Sequence, residues 1–377
     1  MTRAVALFAL CATAVTPSLA AQQPALPPVR RLVTRAEEFP QPFTSVRSLT
    51  ALPDGRLVLS DAAEKKLLLV DFAKKSATPL ARPGTGPREF QDPGGTYRAA
   101  RGGVIVYDQR QKRFLPIAIS GQVGDVVALP MTPSSWGASD EGPDTFVPDS
   151  LGNLYTLGSR FTRAGPQDSI PLIHIDRRGV TSDTLGFLKQ QESRPLPSSQ
   201  PGVTMGRSVM FSPQDVWAVA PDGAVAVVKA APYRVDWVTP GKPRVVGASI
   251  PFTPLRVTGA DRDSIKARSA GSSASVSRNG QSSRVQTPTA EPITAEVKPP
   301  FPAQVPRIDE MGRLWVERSR TADATTRTYD VFDRRGALVD RLELPAGARL
   351  VGFDAHSLYT VRKDDDDLLH LQRFKLP

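Results

Sequence analysis

Leu52-Pro53-Asp54-Gly55-Arg56-Leu57-Val58-Leu59 reads as two apolar runs joined by a turn that carries Asp and Gly. The phrase returns as Ala220-Pro221-Asp222-Gly223-Ala224-Val225-Ala226-Val227 and as Ile308-Asp309-Glu310-Met311-Gly312-Arg313-Leu314-Trp315-Val316. Asp-Gly supplies the positive φ that a tight hairpin demands, and apolar runs of four or five residues between turn signals read as buried strands rather than helix. Each copy continues into a second hairpin, seen in Val70-Asp71, Ile175-Asp176-Arg177-Arg178-Gly179 and Phe332-Asp333-Arg334-Arg335-Gly336. Those aspartates read as turn caps.

Six copies can be laid along the chain, with first hairpins at Asp54-Gly55, Gly102-Gly103, Leu151-Gly152-Asn153, Asp222-Gly223, Met311-Gly312 and Asp354 to Ser357. The early spacing of roughly 50 residues is that of a four-stranded propeller blade, and the longer later spacings mark two insertions. The expected fold is therefore all-β: a six-bladed β-propeller of four-stranded antiparallel blades over residues 29–377. An insertion at 254–303 separates blades four and five. Within it, Thr258-Gly259-Ala260-Asp261 has the form of a capping box, and Asp261 to Arg268 that of a short helix. Ser269 to Thr289, poor in bulky apolar residues, is expected to be disordered. The last copy ends after its third strand, so Val29 to Thr34 is expected to supply the missing outer strand and close the ring.

With the copies laid out, the chain resembles the secreted six-bladed propellers of the NHL and TolB-like kind. The residues that carry the resemblance are Gly84-Thr85-Gly86-Pro87-Arg88-Glu89-Phe90 and Asp309 to Val316. It implies a propeller and an exported location, and no single activity.

Residues 1–20 read as a secretory signal: Arg3, an apolar stretch from Ala4 to Val15 too short to span a bilayer, and the small-x-small site Ser18-Leu19-Ala20. Residues 21–28 read as a linker. The expected product is periplasmic or extracellular, with no transmembrane segment, and monomeric. Cys11 is the one cysteine of the chain and falls in the signal, which excludes disulfides and thiolate chemistry from the mature protein. The formal net charge of +10 favours anionic partners, and for an exported protein these are glycans, small anions or proteins rather than nucleic acid.

In a propeller the first-to-second and third-to-fourth turns emerge on one face; second-to-third loops and blade-to-blade connections emerge on the other. Sorted this way, the Asp-Gly hairpins share one face, and the long segments share the opposite one, the candidate working surface. Basic residues gather there, and Arg88, Glu89, Arg110, Arg113, Arg160, Arg318 and Arg362 are the candidate ligand-binding residues. Catalytic signatures are thin. His174, His356 and His370 fall in separate settings, and Asp364 to Asp367 suits a hairpin better than a calcium loop. The expected function is that of a non-enzymatic binding or scaffold propeller for a protein or an anionic ligand, with no cofactor. The alternative is a lactonase- or esterase-type hydrolase that holds Ca²⁺ or Mg²⁺ through Asp61, Glu89 and Asp108 at the channel mouth.

Overall fold

The computed structural model describes residues 26–33, 36–129, 146–158, 161–162, 165–179, 182–196, 205–269, 274–278, 281–285 and 291–376. The signal expected at 1–20 and most of the linker lie outside them. The described chain folds as six antiparallel blades in a ring, with a single helix.

Blade one is Ser48–Ala51, Leu57–Asp61, Lys66–Asp71 and Ser76–Pro79. Blade two is Pro93–Arg98, Val104–Asp108, Arg113–Ile117 and Val127–Ala128. Blade three is Val147–Pro148, Leu154–Leu157, Ser169–Ile175 and Ser182–Lys189, and blade four is Val216–Val219, Val225–Ala230, Tyr233–Val238 and Val245–Val246. Blade five is Arg307–Ile308, Leu314–Glu317, Arg327–Phe332 and Leu338–Leu344; blade six has Ala348–Phe353, Ser357–Lys363 and Leu369–Lys375. The strands run in chain order from the axis outward. Inner strands of neighbouring blades meet: Ser48–Ala51 touches both Pro93–Arg98 and Ala348–Phe353.

The strand sequences are apolar without alternation because both faces of each blade are buried. Leu57 and Leu59 pack toward blade six while Val58 packs toward blade two. Ala226 and Val228 face blade five while Val225 and Val227 face blade three. Six apolar clusters result, one at each blade interface including six against one, so the ring is closed by packing. Each fully buried Val or Leu in them stabilises the fold by about 1.5–3 kcal/mol.

The first hairpins are built as their residues require. Gly55, Gly152, Gly223 and Gly312 take φ between +76° and +87°. The aspartates cap the turns: Asp309 Oδ1 accepts the Met311 and Arg313 N–H groups at 3.0 and 2.9 Å, and Asp149 Oδ1 accepts those of Leu151 and Asn153 at 2.9 Å. Their second oxygen reaches an aromatic on the next strand. Trp315 Nε1 donates to Asp309 Oδ2 at 2.9 Å, Tyr155 donates to Asp149 Oδ2 at 3.3 Å, and Tyr359 donates to Asp354 Oδ2. Burial first, and then the carboxylate, push both tyrosine hydroxyls well above the usual range, so they remain donors. In the second hairpins Asp71 and Asp333 cap their own turns as expected.

Ring closure uses the N-terminal segment, but not the residues that the sequence suggested. The outer strand of blade six is Glu37–Glu38, antiparallel to Leu369–Lys375, whereas Val29–Arg31 adds a fifth strand to blade five, parallel to Leu338–Leu344. Aromatic anchoring decides between them. Phe39 and Phe43 follow Glu38 directly, are 1% and 3% exposed, and lie in the core between blades six and one. Val29–Arg31 is exposed throughout and is held at its edge by the ion pair of Arg30 with Asp340.

The insertion before blade five stands on the paired strands Leu255–Arg256 and Val297–Lys298 and carries the helix Gly259–Ser269. Thr258 and Asp261 cap the helix reciprocally, as the sequence suggested, and the buried Asp261 also takes Lys298 Nζ at 2.6 Å. Within the stretch expected to be disordered, Ala274–Arg278 pairs with Gln281–Val285; the rest of that stretch, from 270 on, lies outside the described residues.

Candidate anion site on the long-loop face

The Gly84 to Phe90 segment is a clasp that holds itself. Glu89 folds back under the glycines, where its Oε2 accepts the Gly86 N–H at 2.8 Å and its Oε1 takes Arg82. A Cβ at Gly84 would stand 2.0 Å from Glu89 Oε2, so a side chain there would push the Glu89 carboxylate out of the clasp. The Gly86 N–H first, and then Arg82, hold the Glu89 carboxyl below the usual carboxylate range. Arg113 closes the clasp by donating to the carbonyls of Thr85, Gly86 and Glu89 at 3.1, 3.2 and 2.8 Å.

Asp61 and Asp108 end the second strands of blades one and two, and both turn into loops. Asp61 accepts Ser45 N–H, Ser45 Oγ–H and Glu64 N–H at 3.1, 2.7 and 3.1 Å. Asp108 accepts the N–H groups of Gln91, Asp92 and Gln111 at 3.1, 3.2 and 3.4 Å. Asp215 plays the same part in blade four, taking Lys189 N–H, Ala230 N–H and Lys229 Nζ. These carboxylates pin blade-to-blade connections to the blade they introduce. Asp61, Glu89 and Asp108 have spent their oxygens on loop donors and do not form a cation cage; among the described residues no three His, Cys, Asp or Glu side chains group as metal ligands.

Most of the candidate cations are paired. Arg88 meets Asp125 at 2.8 Å, Arg318 meets the buried Asp330 at 3.1 Å, and Arg362 lies 3.6 Å from Glu38. Arg110 is exposed, and Arg160 lies outside the described residues. Asp330 also accepts Tyr233 Oη–H at 2.8 Å and Arg341 Nε–H at 3.2 Å, which makes it a hub rather than a free acid.

Two arginines that loop sorting passed over stand apart. Arg307 begins the inner strand of blade five and Arg349 lies near the start of the inner strand of blade six, both at the long-loop end of the channel. With Pro302, Pro306, Trp315 and Glu317 they line a cavity of about 50 Å³. Neither guanidinium forms an ion pair among the described residues; Arg349 donates to the Val46 carbonyl at 3.4 Å. Arg307 lies deep but keeps part of its surface open to the cavity, and burial, then repulsion from Arg349, push it down to about 10. Burial lowers Arg349 as well.

The one acid on this wall is already neutralised. Glu317 has Arg327 Nε at 3.3 Å and accepts the Tyr329 hydroxyl at 3.1 Å. Tyr329 in turn accepts the Leu350 N–H at 3.3 Å. Two like charges on one half-buried wall repel, and a nearby anion would relieve that repulsion.

The other end of the channel shows the contrast. Arg98, ending the inner strand of blade two, pairs with Glu310 in the first hairpin of blade five. Those blades stand opposite in the ring, so the pair bridges the channel. Burial raises the Glu310 carboxyl above its ordinary value despite Arg98.

In sequence, Arg307 and Arg349 carry one usable signal: each is a charge at the head of an inner strand, and inner strands face the axis. Sorting cations by loop alone misses them.

The chain matches no family model and no curated protein. Among solved structures it is similar to a gluconolactonase from Xanthomonas campestris (12% identity, 94% of this chain and 95% of that one, TM-score 0.44). It is similar also to the calcium-binding protein regucalcin from Agrobacterium tumefaciens (12% identity, 92% and 97% covered, TM-score 0.42). A third is virginiamycin B lyase from Staphylococcus aureus (12% identity, 91% and 99% covered, TM-score 0.40). None of their chemistry or ligands is carried over to this chain, which stands as a six-bladed β-propeller on its own strands and cores.

Proposed function

We propose that the protein is an exported, non-enzymatic binding propeller that takes an anionic ligand on its long-loop face. The observation that carries this reading is the pair Arg307 and Arg349, half-buried on one cavity wall and forming no ion pair among the described residues. The net charge of +10 favours anions over cations as ligands of the protein as a whole. Export rests on the signal read at residues 1–20.

Calorimetry of the purified protein against acidic oligosaccharides and their neutral counterparts tests the reading. Binding of the acidic set alone, weakening as salt is raised, is the expected result. Equal or absent binding of both sets would overturn it. Titration with Ca²⁺ or Mg²⁺, followed by a lactone turnover assay, reads out the hydrolase alternative: cation binding with turnover would displace the binding reading.

A further inference from the structure

Building on the anionic-ligand reading, we infer that the Arg307 and Arg349 cavity takes a phosphoryl dianion, as the head of a small phosphate monoester or as free phosphate. Charge is the first argument. Of the charged groups lining the cavity, Glu317 pairs at 3.3 Å with Arg327, which lies outside the lining, and attracts Arg349 only from beyond ion-pair distance, so the charge without an ion pair on the wall is that of the two arginines. A carboxylate would leave one of them uncompensated; a dianion balances both.

Size and shape agree. One water takes ~10–15 Å³ on the same measure, so about 50 Å³ holds a tetrahedral head of five heavy atoms and no sugar ring. The remainder of an ester would lie outside the opening, toward Gln304 and Val305 at the rim. Arg307 and Arg349 come from adjacent inner strands and offer two planar forks, which a tetrahedral oxyanion can accept from two sides. Pro306, Trp315 and Leu350 make the wall apolar and bring no free N–H to compete, since the Leu350 N–H is spent on Tyr329.

The pH response should come from the ligand. A phosphate monoester loses its second proton near pH 6, so affinity should tighten about tenfold between pH 5 and 7.5. The groups around the cavity are Arg307, Arg349, Arg320, Arg327, Glu317 and Tyr329; burial holds Tyr329 protonated, and Arg307 stays charged throughout that range.

Titration calorimetry with inorganic phosphate, a hexose 6-phosphate, gluconate and a uronate oligosaccharide decides the matter. The expected result is saturable binding of the phosphates with that pH dependence, weakened about tenfold or more in Arg307→Gln and Arg349→Gln. Hexose phosphate tighter than inorganic phosphate identifies the ester; equal affinity identifies the free ion. Uronate binding that depends on Arg307, without phosphate binding, overturns the inference while sparing the anionic-ligand reading, and no anion binding at all overturns both. Thermal melting guards against misfolding: Arg307→Gln should melt no lower than the parent, because the charge removed has no partner.

Discussion

The two ends of the channel treat charge in opposite ways. On the hairpin face the carboxylates are consumed: the buried Asp149 and Asp309 and the half-buried Asp354 each hold a turn with one oxygen and an aromatic or neighbouring side chain with the other. Arg98 there meets Glu310 across the axis. On the long-loop face, between blades five and six, Arg307 and Arg349 form no ion pair among the described residues, and Glu317 attracts Arg349 only from beyond ion-pair distance. Regular, fully satisfied polar groups are how a repeat protein holds its shape, whereas two half-buried like charges without an ion pair are a cost that folding alone does not explain.

The largest effect should come from breaking the satisfied side. Asp309→Ala strands Trp315 Nε1–H, the Arg313 guanidinium and two turn N–H groups, and should cost about 3–5 kcal/mol in urea unfolding. A loss near zero would mean that the hairpin aspartates are ornaments. Arg307→Met should do the reverse, leaving stability unchanged or raising it by about 1 kcal/mol, since an apolar side chain replaces an unpaired charge. A loss as large as that at Asp309 would show that Arg307 has a structural partner, and the contrast between the two faces would fall.

Glu310→Gln should have a smaller effect, about 1 kcal/mol or less and toward greater stability at neutral pH, because a neutral amide replaces a carboxylate that burial disfavours and whose pair with Arg98 is partly open to water. The sign of its pH dependence is set by its raised carboxyl: the protonated form favours the fold, so its contribution is present below the ordinary value near 4.5 and lost as the pH rises through the raised one. Stability that instead climbs with pH in the parent relative to Glu310→Gln would contradict this. The smallest effect is at the ring closure, where His370 stands 3.2 Å from Glu38 and 2.7 Å from Asp364. His370, and then backbone N–H groups, hold the Asp364 carboxyl low, so its contribution is present above the unfolded value of about 3.9 and lost as the pH falls through the lowered one. In His370→Gln the NMR titration of Asp364 should move up toward that value; an unmoved midpoint would remove His370 as the cause.

Much of this was legible in the chain because it is local. Gly55 or Gly312 with its neighbouring aspartate specifies a hairpin within five residues, and six such hairpins at a blade-like spacing imply the ring. The Thr258 capping box reads as easily, its partners being three residues apart. The closing strand was harder, since Val29 to Thr34 is the more strand-like stretch, and the aromatic contacts of Phe39 and Phe43 that favour Glu37–Glu38 form with residues far along the chain. The candidate site was the least legible. Glu89 and Asp61 look free in sequence and are bound by their own loops, while Arg307 and Arg349 look like ordinary strand-edge cations.

By itself, then, the sequence determined what short-range chemistry can determine: where the chain turns, which runs are buried on both faces, how many blades there are and which turns share a face. Only the tertiary structure decided which charges are answered. Pairing depends on what the ring brings within a few ångströms, and Arg98 finds Glu310 from the opposite blade while Arg307 stands against Arg349 and forms no ion pair among the described residues.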